Sequence, residues 1–144
     1  VKASTHRRLA ALAEGAHEAF GGPVPVKDVA AAEKLLGVKF PRDYREFVSR
    51  YGGAQLGNLF VVGLRASARG VPDDLVTTQT ERFRPQLPET LSKMVVIATD
   101  QGGNPIGFLP RKKAIFTHDY DFGGRHEVAS DFEDFVLALL EHER

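Results

Sequence analysis

Apolar positions repeat with a helical period three times before any strand-like run occurs. Leu9, Leu12, Ala13, Ala16 and Phe20 lie on one face of residues 5–20, which predicts an amphipathic helix. Gly21, Gly22 and Pro23 stop it. Val29, Ala32, Leu35 and Leu36 predict a shorter inward-facing helix over 27–36, and Gly37 is placed to cap it, because glycine reaches the left-handed conformation at low cost. Pro41 suits the first turn of a third helix, where its missing N–H would have no partner. Tyr44, Phe47, Val48 and Tyr51 continue that helix, and Gly52-Gly53 end it.

The period then changes. LGNLFVVGL (56–64) reads as one strand with an apolar centre. Residues 71–83 read as a weakly periodic helix, with Pro72, Asp73 and Asp74 making a favourable start because carboxylates there complement the helix dipole. MVVIA (94–98) is apolar throughout, as expected of a strand interior to its sheet. DQGGNP is a turn by composition, IGFL a returning strand, AIFTH (114–118) another, and HEVA (126–129) the last. Ser130 and Glu133 have the spacing of a capping box ahead of Phe132, Phe135, Val136, Leu139 and Leu140. Helices, then strands, then a helix predict an α+β fold with an antiparallel sheet. The chain reads as a single domain over 1–144: an N-terminal helix within 1–22, a helix pair at 27–53, a sheet region with one helix at 56–130, and a C-terminal helix at 131–143.

Composition narrows the chemistry. With 144 residues and 42% hydrophobic content the chain can fill one core without staples. It has no cysteine, so disulfides, thiolate metal sites and thiol nucleophiles are all excluded. No apolar run approaches the ~20 residues of a membrane span, and VKASTHRRLAALAEG does not read as a secretory signal. The cytoplasm is the expected location, and a start on Val leaves room for residues upstream. Residues 1–70 hold 11 Lys/Arg against 6 Asp/Glu, a balance of +5, and residues 71–144 hold 8 against 13, a balance of −5. A net charge of zero is not the footprint of a general nucleic-acid binder, so no direct nucleic-acid partner is expected.

FTHDYDFGGRHEV (116–128) is the densest chemical stretch. If 119–125 form a loop, His118 and His126 could oppose each other at roughly 4.5–5.5 Å between Cβ atoms. They could then share a metal with Asp119 or Asp121 as third ligand, giving a metal-dependent hydrolase. The competing reading is a solvated hairpin end, in which aspartate sets the turn and Gly123-Gly124 take positive φ. That reading is preferred, so neither metal nor cofactor is expected. A calcium loop fails, because glycine falls at the fifth position rather than the sixth and Ser130 occupies the twelfth. DQGGNPIGF lacks the lysine of a phosphate loop, and no nucleophile elbow occurs. Glu33 reads as a lone solvated acid. Arg111, Lys112 and Lys113 stand close in sequence to Tyr120, Phe122 and Arg125, and aromatics and arginine are enriched where protein surfaces bind tightly. Phe122 is as readily core as surface. The expected partner-binding residues are Arg111, Lys112, Lys113, Asp119, Tyr120, Asp121, Arg125 and His126.

Two blocks carry a resemblance. AEKLLGVKFPRDYREFVSRYGG (32–53) has an acidic residue, Leu-Gly, a Pro-x-x-Tyr step and a closing Gly-Gly. Residues 97–139 have a strand leading into Asp100, Gly102, Gly103 and Asn104, then two strands and Ala129, Phe132 and Phe135. Together they resemble the SMI1/KNR4 family of the SUKH superfamily over about half the chain. Phe40 stands where Leu is usual, Tyr51 where Asn often precedes Gly-Gly, and tryptophan is absent. The resemblance implies an α+β fold with a twisted, mostly antiparallel sheet. It also implies a non-enzymatic protein-binding role, either as an immunity protein that neutralises a toxin of nuclease or deaminase type or as a regulatory domain for an endogenous protein. A monomer or weak homodimer is expected.

Overall fold

A computed structural model of the chain describes residues 1–141. In chain order the main elements are α1 (Ala3–Gly15), α2 (Val26–Leu36), α3 (Arg42–Tyr51), β1 (Ala54–Leu56), β2 (Leu59–Val61), α4 (Val76–Phe83), β3 (Val95–Thr99), β4 (Pro105–Phe108), β5 (Ile115–His118), β6 (Arg125–Ala129) and α5 (Phe132–Glu141). β1 and β2 form a small hairpin, and the main sheet has the order β3-β4-β5-β6. Every pairing is antiparallel. The α+β expectation holds.

The helix pair forms close to its predicted ranges with Val29, Ala32 and Leu36 buried, but Leu35, expected to face inward, is exposed. Gly37 ends α2 at φ 72, and its amide donates to the Glu33 carbonyl at 2.9 Å. Gly52 ends α3 at φ 75, where a Cβ would stand 2.2 Å from the Gly22 carbonyl oxygen. Only glycine allows the chain after α1 to pass that close to the end of α3. Tyr44 is the hub of the core. Its ring centroid lies 5.2 Å from that of Phe40, 5.4 Å from Phe108 and 5.1 Å from Phe132. Its hydroxyl donates to the Val62 carbonyl at 2.7 Å, so the polar atom that this side chain carries into the core has a partner. Burial pushes the Tyr44 phenol well above its ordinary pKa, which keeps it a donor.

The main core joins Leu9 of α1, α2, α3, the small hairpin, one face of the sheet and the apolar stripe of α5. A smaller cluster of Leu87, Leu91, Met94, Leu109 and Phe116 covers the other face near β3 and β4.

Five local expectations are corrected. The run 56–64 is not one strand, because Gly57-Asn58 reverses the chain and pairs Leu56 with Leu59. α1 stops at Gly15, and a short 3-10 turn covers His17–Ala19. α4 begins at Val76 rather than near 71; residues 72–74 form a turn, and the Thr78 hydroxyl accepts the Leu75 amide at 2.9 Å. β3 has only β4 beside it in its sheet, yet it is buried. Its outer groups are met by the Thr80 hydroxyl, which accepts the Val96 amide at 2.9 Å, and by the Val62 amide, which donates to the Ile97 carbonyl at 2.8 Å. An apolar run therefore marked burial, not a central place in the sheet. Finally, Asp131 rather than Ser130 caps α5, accepting the Asp134 amide at 2.7 Å, while the Ser130 hydroxyl donates to the Asp134 carboxylate. Glu133 does not reach back to a cap. It is drawn into the fold, where it accepts the Lys2 amide at 2.9 Å and the Thr5 hydroxyl at 3.1 Å. Residues 142–143, assigned to the last helix by the sequence, lie outside the described residues.

Candidate functional site

Strand β5 divides the expected binding residues into two groups. Arg111, Lys112 and Lys113 precede it, whereas Asp119, Tyr120, Asp121, Arg125 and His126 follow it. Proximity in sequence suggested one patch, but an intervening strand of four residues puts the groups at opposite ends of the sheet.

The far end is the β5–β6 hairpin. The Asp119 side chain accepts the amides of Asp121 at 2.9 Å and Phe122 at 3.1 Å. The Asp119 amide donates to the Gly124 carbonyl at 3.1 Å, and the Gly123 amide returns to the Asp119 carbonyl at 2.7 Å. The Tyr120 amide donates to Asn104 Oδ1 at 3.0 Å, tying this tip to the neighbouring β3–β4 turn. That turn is itself organised by Asp100, whose carboxylate accepts the amides of Gly102 and Asn104, each at 2.9 Å. The carboxylates thus shape the loops, as the hairpin-end reading expected.

Register bears directly on the metal reading. Thr117 pairs with His126, and His118 with Arg125. Side chains alternate along a strand, so His118 and His126 project from opposite faces. The two imidazoles do not oppose each other. His118 instead packs its ring edge-on against Tyr120, with centroids 4.9 Å apart. Among the described residues, no group of three or more His, Asp or Glu side chains is arranged to hold a metal.

What the tip offers is surface. Phe122 is 89% exposed and Tyr120 40% exposed. Phe122 is therefore surface, the choice that composition alone left open. β6 pairs only with β5, and Arg125, His126, Glu127 and Val128 are all exposed. Arg125 lies over the Phe116 ring at 4.8 Å, which fixes its guanidinium at the sheet edge.

The near end has a different character. Leu109–Lys112 form a turn closed by the Lys112 amide on the Leu109 carbonyl at 3.2 Å. Arg111 holds φ 64 and is the one non-glycine residue with positive φ among those described. The turn faces a broad cleft of about 1240 Å³ whose opposite wall is the α2–α3 corner. Three residues there, Lys2, Lys39 and Lys93, were not singled out by the sequence reading. They are scattered along the chain, so no local signal marks them. Glu33 lies under the same corner. It accepts the Phe40 amide at 2.8 Å and Arg45 Nη2 at 2.9 Å, so it is a structural brace and not a lone solvated acid.

No described helix is long and apolar enough to cross a membrane. No curated protein matches the chain. Residues 23–138, from the turn before α2 into α5, match the SMI1 / KNR4 family (SUKH-1). The chain belongs to that family, a non-catalytic, protein-binding one broadly associated with toxin immunity.

Proposed function

We propose that this chain is an immunity-type protein that neutralises a toxin by binding it and occluding its active site, with no reaction catalysed. The β5–β6 hairpin is the docking element, with Phe122 as its anchor and Tyr120, Asp121, Arg125 and His126 as further contacts. The observation that carries this reading is an 89% exposed Phe122 on a tip whose backbone is pinned by Asp119 and Asn104. An aromatic presented on a rigid loop loses little conformational freedom when it is covered, which is how binding anchors work. Asp119 is a scaffold for that surface, because its carboxylate is already engaged. A toxin domain of nuclease or deaminase type, met in the cytoplasm, is the expected partner.

The test is to co-purify partners from the native cell and ask whether the chain rescues cells expressing any toxin found. Tyr120→Ala and Arg125→Ala should each weaken that complex by more than ~1 kcal/mol while leaving the melting temperature unchanged. Full affinity in both variants would remove the hairpin from the interface. A partner that is not toxic when expressed alone would favour a regulatory domain over an immunity protein.

A further inference from the structure

We infer that the cleft at the other end of β5 is a second recognition site, one that takes an acidic segment of a protein partner; this rests on the protein-binding reading above. Seven basic side chains line it: Arg42, which is paired with Glu46, and six others, Lys2, Lys39, Lys93, Arg111, Lys112 and Lys113. These six residues are all exposed, and none of the six side chains forms an ion pair with the described residues.

The carboxylates lining the same cleft are occupied. Asp43 accepts the amides of Tyr44 at 2.8 Å and Glu133 at 3.1 Å. Glu46 is paired with Arg42 at 3.2 Å. Asp131 caps α5 and Glu133 holds the start of α1. These four carboxylates are held in place by the fold and keep their charge, but seven basic side chains outnumber them and leave the cleft a positive excess. A concave surface with unpaired charge of one sign concentrates a ligand of the opposite sign.

Arg111 points the same way independently. It follows Pro110 in a tight turn, at a position whose positive φ favours glycine. An arginine there holds a strained backbone, and no hydrogen bond to its side chain is present among the described residues to offset it. Strain kept in the fold without local compensation is a mark of a functional side chain.

An acidic peptide fits better than a nucleic acid. A nucleic acid would run its regular phosphates past the four carboxylates that stand among the cations. Single strands also need exposed aromatic platforms beside the basic groove. Phe40, the aromatic lining this cleft, is 3% exposed, and the exposed Tyr120 and Phe122 lie beyond the far end of β5. Separate carboxylate side chains can meet individual lysines without that conflict.

The test titrates the full chain with a labelled hexaglutamate peptide at low ionic strength, read by fluorescence anisotropy. A thymidine oligonucleotide and inorganic phosphate serve as comparison probes. Hexaglutamate should bind, and binding should weaken as salt rises. The double variant Lys93→Glu, Lys112→Glu should lose about tenfold or more. Arg111→Gly should lose several-fold without any fall in melting temperature, which separates the side chain's role from its cost to the fold. The inference is overturned if hexaglutamate does not bind, if the charge-reversed variant binds it equally, or if the oligonucleotide or phosphate binds more tightly. Tyr120→Ala should leave hexaglutamate binding intact, so failure of the cleft and failure of the hairpin as a docking element can be told apart.

Discussion

The two ends of β5 handle polar residues in opposite ways. Beyond His118, the Asp119 carboxylate serves two amides and Asn104 serves a third, so the tip is shaped by its own side chains. Before Ile115, the turn through Pro110 and Arg111 is closed by a backbone bond, and its three cations are bound to nothing in the described fold. The contrast separates polar groups that build shape from those that remain for a partner. Composition cannot make that distinction, since both loops look merely hydrophilic.

The contrast can be broken at several points. The largest effect on stability should come from Asp119→Ala. Two amides lose their acceptor, at a cost of about 1–2 kcal/mol in denaturant unfolding. A change inside the ~0.5 kcal/mol spread of ordinary surface substitutions would mean the tip is held by other bonds. Asn104→Ala should cost about 1 kcal/mol and speed hydrogen exchange at the Tyr120 amide. Arg111→Gly should act in the other direction, stabilising by about 0.5–1 kcal/mol as the left-handed strain is released.

Asp43, lining the cleft, gives a dependence on pH. Burial raises its carboxyl above the ordinary value, with Asp131 adding to the rise, and outweighs the amides of Glu133 and Tyr44 that lower it. The unfolded chain therefore ionises first. The stability contributed by Asp43 is present below the ordinary carboxylate pKa and is lost as pH rises through the raised folded value. Asp43→Asn should flatten that loss, so the variant gains on the parent as melting is followed from about pH 3 to about pH 7. Lys112→Ala and Lys113→Ala should be the smallest, within about 0.5 kcal/mol, because nothing in the described fold rests on them.

Much of the helical part of this fold was legible in the sequence. The spacing of Tyr44, Phe47, Val48 and Tyr51 could serve only a helix with one buried face, and Gly37 marked the end of its neighbour. The β region was harder. The 56–64 run hid a reversal at Gly57-Asn58, because apolar residues on both sides masked the turn. The His118–His126 pairing failed by one residue. Register there depends on loop length and on the irregularity between Ile115 and Phe116, neither of which leaves a local pattern. Ser130 and Glu133 matched a capping box, but Glu133 had better partners at Lys2 and Thr5, far away in sequence. At the candidate site, residue types were readable and grouping was not. The sequence placed Arg111–Lys113 beside Tyr120, while Lys2, Lys39 and Lys93, which share their cleft, come from three distant segments.

The bonds from Lys2 and Thr5 to Glu133 also bear on how the molecule is made. They span 131 and 128 positions, so the first helix cannot seat fully until the last one has been synthesised. A chain still on the ribosome would carry α1 loosely, with Leu9 unburied on that side, and would close only once α5 has emerged. Nascent chains stalled before α5 should accordingly be cut by protease within α1, whereas the finished protein should resist.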